Sequence, residues 1–226
     1  MSKPIKICGH ASGPNPWKPI IILEELGIKY EIEYIDFGNL KKEPYLSINP
    51  NGRTPSMQDP NTGVTLWELI EQSAAIIDYL LDTYDTTSKL HTTKTPDKYY
   101  QQQWSYFQMS GQGPYFGQKA WFTFFHPEKN PTSAIDRYAA EIKRVLGVID
   151  LHLSKTSNPY LTGKEVQYCD LMFVPWNSMV PFLMGEEFVK EWKDTYPRSW
   201  GWNEKLMGRA TVKKVMEIKA EASKGH

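Results

Sequence analysis

The chain has 226 residues, and its 26 Lys and Arg balance 26 Asp and Glu, so no net charge holds it to a nucleic-acid backbone or an anionic membrane surface. Two cysteines, Cys8 and Cys169, are too few for a disulfide framework or a zinc site and suit a reducing, cytoplasmic setting. The amino terminus has no long apolar core and no run approaches ~18 apolar residues, which argues against a secretory leader and against a spanning helix.

Strand and helix patterns alternate through the first part of the chain. PIKIC (Pro4–Cys8) alternates apolar and polar residues as a strand does. From Pro16, PWKPIIILEELG reads as a helix that buries Ile21, Ile22 and Leu26 and stops at Gly27. Tyr30–Asp36 returns to period two, and a strand–helix–strand step of this length implies parallel pairing. RTPSMQD and VTLW are two short strands around the turn DPNTG. Pro55 opens the first of them. A proline cannot donate to a central ladder, so it belongs at an edge, a strand start, a bulge or behind a cis bond, and only ~5–6% of X–Pro bonds are cis. QSAAIIDYLLDTYD then resumes a helix. The order β-α-β-(α)-β-β-α describes a small α/β domain with a mixed sheet, assigned to residues 1–88.

After the polar connector TTSKLHTTKTPDK the strand signals stop, and residues 96–226 read as an all-helical domain. Its clearest helix begins near Pro131, where Ile135, Tyr138, Ala139, Ile142, Val145, Leu146, Ile149 and Leu153 recur at three- and four-residue spacing. YCDLMFVPWNSMVPFLM is apolar nearly all round, as a central buried helix kinked or ended near Pro175 or Pro181 would be. A helical tail from Pro197 carries Trp200, Trp202, Leu206, Val212, Val215 and Met216.

This arrangement resembles the cytosolic glutathione transferases, with a thioredoxin-like α/β amino-terminal domain and an all-α carboxy-terminal domain, over essentially the whole chain. The most specific marker is NPNGRTP followed by QSAAIIDYL. The segments SGPNPWKPIIILEELG, WSYFQMSGQGPYFGQKAWF and AIDRYAAEIKRVLGVID are similar to the fungal nitrogen-regulator type and its bacterial Nu-class relatives. The resemblance implies that Pro55 is a cis-proline and that Thr54 pairs its backbone with the cysteinyl part of glutathione. It also implies that Gln72 and Ser73, opening the next helix, grip the γ-glutamyl carboxylate, a use that suits the unpaired N–H groups and partial positive charge of a helix N-terminus. LWELIEQS carries four more residues than the family's Trp-Glu-Ser arrangement, so Glu68 and Glu71 compete with Gln72 for that role. VQYCDL has Gln167 where relatives place Ser or Thr, which implies that Asp170 caps its helix without a reciprocal capping box.

Glutathione transferases activate a thiol. A free thiol with pKa about 8.5 is a few per cent ionised at neutral pH, and lowering it by ~2 units takes ~2.7 kcal/mol of stabilisation of the anion. The resemblance makes Asn15 the first candidate donor to sulfur, with Ser12 the alternative. The structural readings are a helix N-cap for Asn15 and a turn for Ser12. Cys8 falls inside a strand and reads as a small core residue. Arg53, Lys41 and Lys42 are candidates for the glycyl carboxylate, and Arg137 matches a family arginine that reaches toward glutathione. The aromatics among Trp104, Tyr106, Phe107, Tyr115, Phe116, Trp121, Phe122, Phe124 and Phe125 supply core and an apolar second-substrate pocket between domains.

The leading expectation is a cytoplasmic, homodimeric glutathione transferase. It would use glutathione as substrate and no metal, and would conjugate it to hydrophobic electrophiles. The alternatives are a glutathione-dependent disulfide or peroxide reductase, and a non-enzymatic regulatory or ligand-binding protein on the same scaffold.

Overall fold

The structure, a computed structural model, describes residues 2–67, 73–128 and 131–224. It divides into two compact units, Met1–His91 with Gly208–His226, and Thr92–Met207.

In the first unit β1 (Ile5–Gly9), α1 (Trp17–Leu26) and β2 (Tyr30–Tyr34) make the expected strand–helix–strand step, with β1 and β2 parallel. A 3₁₀ turn (Phe37–Asn39) and the short α2 (Tyr45–Ile48) lead to β3 (Ser56–Asp59), antiparallel to β1. β4 (Val64–Trp67) pairs antiparallel with β3, and α3 (Ala74–Tyr84) follows. The sheet order is β2-β1-β3-β4.

Period two sorts the sheet's faces. Ile7 lies opposite Ile32 on one side and Met57 on the other, and Ile5, Ile7 and Met57 are fully buried. Ile20–Leu23 of α1 and Ile76, Ile77, Leu80 and Leu81 of α3 join the buried core, each worth about 1.5–3 kcal/mol of burial. Cys8 faces the other way and packs with Leu40 and Tyr45 from the segment that carries α2. α1 ends as its sequence predicts: Gly27 donates to Glu24 and Ile28 donates to Leu23, the paired bonds of a Schellman motif.

The second unit is helical. α4 (Asp97–Phe107), a π-helical turn (Gln108–Gln112) and α5 (Gly113–Phe124) follow one another without a break. The long α6 (Thr132–Thr156) buries Ile142, Val145, Leu146, Ile149 and Leu153, the stripe its periodicity predicts. The apolar stretch expected to be a helix kinked or ended near Pro175 or Pro181 is broken ahead of both prolines into three short helices, α7 (Tyr168–Leu171), α8 (Val174–Asn177) and α9 (Val180–Met184). Pro175 and Pro181 sit in the first turns of α8 and α9, where the missing N–H has no intrahelical partner to lose. α10 (Glu186–Thr195) and α11 (Pro197–Met207) complete the unit.

Two expectations are corrected here. A reciprocal capping box is present at α7 after all. The Asp170 carboxylate accepts the Gln167 N–H at 3.0 Å, and the glutamine side chain serves where a hydroxyl was expected, steadied by Gln101, which donates to its Oε1 at 2.9 Å. The end of the chain also changes allegiance. α12 (Ala210–Ser223), read from the sequence as part of the 96–226 helical domain, packs on α1 in the first unit. Ion pairs fasten it there. Arg209 donates to both carboxylate oxygens of Glu25, at 2.8 and 2.9 Å, Thr211 donates its hydroxyl to the same group, and Lys214 bonds Glu24 at 2.9 Å.

Candidate functional site

Two loops of the first unit carry Ser12 and Asn15, and Arg53, Thr54 and Pro55. The first joins β1 to α1. Gly9 ends the strand, and a Cβ there would stand 2.6 Å from the Cβ of Pro16, so the missing side chain lets the loop fold back on its own strand. Trp17 is fully buried, donates its indole N–H to the Ala11 carbonyl at 3.0 Å and thereby closes the loop. Pro16 occupies the N-cap position and makes no side-chain cap bond. Asn15 therefore lies one residue outside the position its capping reading required. Its carbonyl accepts the Lys18 N–H at 3.2 Å and the Ser73 hydroxyl at 3.1 Å. Ser12 is exposed, and its Oγ lies 2.9 Å from Nδ1 of His10.

The second loop precedes β3. Asn49 is fully buried and organises it: its Oδ1 accepts the Asn51 N–H at 2.9 Å, and its Nδ2 donates to the Arg53 carbonyl at 2.6 Å. The Tyr45 hydroxyl donates to that same carbonyl at 2.6 Å. Gly52 turns the chain with φ +61°, where a Cβ would stand 2.9 Å from the Leu40 carbonyl oxygen. The Thr54–Pro55 peptide bond is cis, as are Glu43–Pro44 and Thr95–Pro96. Thr54 lies before the first residue of β3 and makes no hydrogen bond with a described residue. Its backbone can therefore pair with an extended peptide laid alongside.

The structure brings some predicted residues together and leaves others apart. Asn15 and Ser73 meet directly. Ser73 holds the N-cap position of α3 as expected, but in a left-handed conformation (φ 41°) and with no side-chain cap bond. Its hydroxyl goes to Asn15, so what the helix terminus offers a carboxylate is backbone N–H. Lys41 borders the second loop, its Cγ 3.1 Å from where a Gly52 Cβ would be, and Lys42 and Arg53 are exposed beside it. Glu68, Glu71 and Gln72 lie outside the described residues. Arg137 stands exposed on α6 in the other unit and forms no ion pair with a described residue. The aromatic run divides. Phe116 and Trp104 are buried, while Tyr106, Trp121, Phe124 and Phe125 are exposed.

Sequence reasoning missed Tyr45, Asn49 and the pairing of His10 with Ser12. The Asn-Pro-Asn-Gly run was the available signal for Asn49, since an asparagine two residues before a turn accepts that turn's N–H.

Comparison with known proteins agrees with this picture. Residues 12–83 match the N-terminal domain of glutathione S-transferases, and residues 114–210 match their C-terminal domain. Glutathione S-transferase-like protein OpS6 of Beauveria bassiana is 44% identical over 96% of this chain and 97% of its own. Glutathione S-transferase 2 of Schizosaccharomyces pombe is 41% identical, covering 96% of both. The chain belongs to the glutathione S-transferase family. Among solved structures, the glutathione transferase URE2P6 from Phanerochaete chrysosporium, in complex with oxidized glutathione, superposes with a TM-score of 0.89 at 44% identity. That alignment covers 97% of this chain and 98% of that one. In this transferase chain burial pushes the pKa of both cysteine thiols up, Cys169 most strongly. Among the described residues no group of three or more His, Cys, Asp or Glu could hold a metal, and no helix is long and apolar enough to cross a membrane.

Proposed function

We propose that this glutathione transferase binds reduced glutathione on the first unit, ionises its thiol and conjugates the thiolate to hydrophobic electrophiles. The 3.1 Å contact between the Ser73 hydroxyl and the Asn15 carbonyl carries the reading. It sets the start of α3, which suits the γ-glutamyl carboxylate, beside the start of α1, where the Asn15 amide donates to sulfur. The Thr54 backbone takes the cysteinyl part of the tripeptide, with Arg53, Lys41 and Lys42 at its glycyl carboxylate and Glu71 or Gln72 at its γ-glutamyl end. One charge-assisted bond and a helix N-terminus together supply the ~2.7 kcal/mol that shifts a thiol pKa by ~2 units. The protein works as a cytoplasmic homodimer in clearing reactive electrophiles.

The oxidized glutathione in the Phanerochaete neighbour favours a second reading, reduction of disulfides. Both cysteines of this chain are buried, so the attacking thiolate in that reaction is glutathione's own, and a second glutathione completes the exchange. Purified protein assayed with glutathione plus a chloronitrobenzene, and with glutathione plus a small dialkyl disulfide, separates the two. Calorimetry of glutathione alone tests what they share. Absence of binding at millimolar glutathione overturns both.

A further inference from the structure

Ser12, the alternative candidate donor to sulfur, lies against His10. The Ser12 backbone N–H points at Nδ1 of His10, 3.2 Å away, and the Ser12 hydroxyl oxygen lies 2.9 Å from the same nitrogen. A backbone N–H can only donate, so Nδ1 carries a lone pair and the ring proton sits on Nε2. With Nδ1 fixed as an acceptor, the Ser12 hydroxyl must turn its hydrogen toward it. Turned away, two lone pairs would face each other at 2.9 Å. The ring itself is held: His10 is 7% exposed and stacks on Phe37 with centroids 3.7 Å apart and planes 24° from parallel.

We propose that His10 is a positioning residue that accepts the Ser12 hydroxyl's hydrogen bond, so that the exposed Ser12 oxygen presents lone pairs, and that this leaves Asn15 as the donor to the glutathione sulfur. The inference rests on the reading that glutathione is ionised at this loop. It explains how one loop can carry a serine and an asparagine within three residues of each other without both serving the anion. With its hydrogen turned to His10, the exposed Ser12 oxygen is an acceptor for water. Removing the His10 acceptor frees the serine hydroxyl to rotate and donate to the thiolate.

The test uses the full-length protein as wild type and as Ser12→Ala, His10→Phe, His10→Asn and Ser12→Ala/His10→Phe variants. Glutathione binding is first measured by calorimetry, and the bound thiol is then titrated by its ultraviolet thiolate absorbance. Phenylalanine keeps the stack on Phe37 without Nδ1, and asparagine places an amide oxygen near the Nδ1 position. Ser12→Ala is expected to leave the thiol pKa unchanged. His10→Phe lowers it by about one unit, read as a shift in the midpoint of the thiolate titration, and the double variant returns it to the wild-type value. His10→Asn behaves as wild type. If Ser12→Ala alone raises the thiol pKa by a unit, Ser12 already donates and the inference fails, a result that stands even where His10→Phe does not fold. A His10→Phe protein that folds and binds but shows an unshifted thiol also overturns it. If no variant binds glutathione and neither does wild type, the proposed function falls instead.

Discussion

Asn15 stands between two helices, lending its carbonyl to Lys18 at the start of α1 and to Ser73 at the start of α3. Those bonds use its backbone, so truncating the side chain leaves them in place, and the N-cap position belongs to Pro16. Asn15→Ala is therefore expected to lower turnover with saturating glutathione by about ten- to a hundred-fold, the worth of one hydrogen bond to an anion. The same preparation should melt within about 1 kcal/mol of wild-type stability. A large loss of stability with unchanged turnover per folded molecule would return the residue to a structural role. The cysteines lead to an opposite expectation. Both thiols are buried with raised pKa values, so at pH 8 neither should react with an aromatic disulfide reagent until denaturant is added. One fast equivalent in the native protein would mean that Cys8 or Cys169 is reachable for redox chemistry.

Among the elements, α12 is tied to α1 by ion pairs. Burial works to raise the Glu25 pKa, but hydrogen bonds from Arg209 and Thr211 and the charges of Arg209 and Lys89 outweigh it and hold the carboxyl below its usual value. A carboxylate depressed in the folded state contributes stability that is fully present above the unfolded pKa of about 4.3 and is lost as pH falls through the folded value. Amide exchange in α12, referenced to α3 under the same conditions, should therefore accelerate as the pH drops below about 4. Glu25→Gln should bring the same loosening at neutral pH, since it removes the carboxylate charge from a largely buried ion pair. Equal protection of α12 in variant and wild type would count against the ion pair as its fastening. This attachment was not legible in the sequence, because Glu25 and Arg209 are far apart in the chain and nothing local to either marks its partner. What was legible followed from periodicity and punctuation: the βαβ step, the DPNTG hairpin, the α6 stripe and the Gly27 stop. Proline placement in YCDLMFVPWNSMVPFLM marked the breaks but not that three helices would result. In the candidate site Asn15, Thr54 and Ser73 could be picked out because motifs name them, whereas Asn49, Tyr45 and His10 act through side-chain bonds whose partners only the fold brings close.

At the scale of the whole molecule, homodimerisation through two-fold related, self-complementary contacts should give a light-scattering mass near twice the 26.1 kDa chain at micromolar concentration. A value near the single chain would remove it from the proposal. The two-unit division carries a further consequence. Because α12 and Arg209 belong to the first unit, that unit is built from two pieces of chain with the helical unit spliced between them. A ribosome making this protein exposes β1 to α3 early, yet the Glu25 carboxylate has no Arg209 or Thr211 until all of Thr92–Met207 has been translated. At ~5–20 residues per second that interval lasts roughly ten seconds. Throughout it α1 presents the surface that α12 will later cover, with the Glu25 carboxylate in its last turn still short of two partners, so the unit that begins first is the last to be finished.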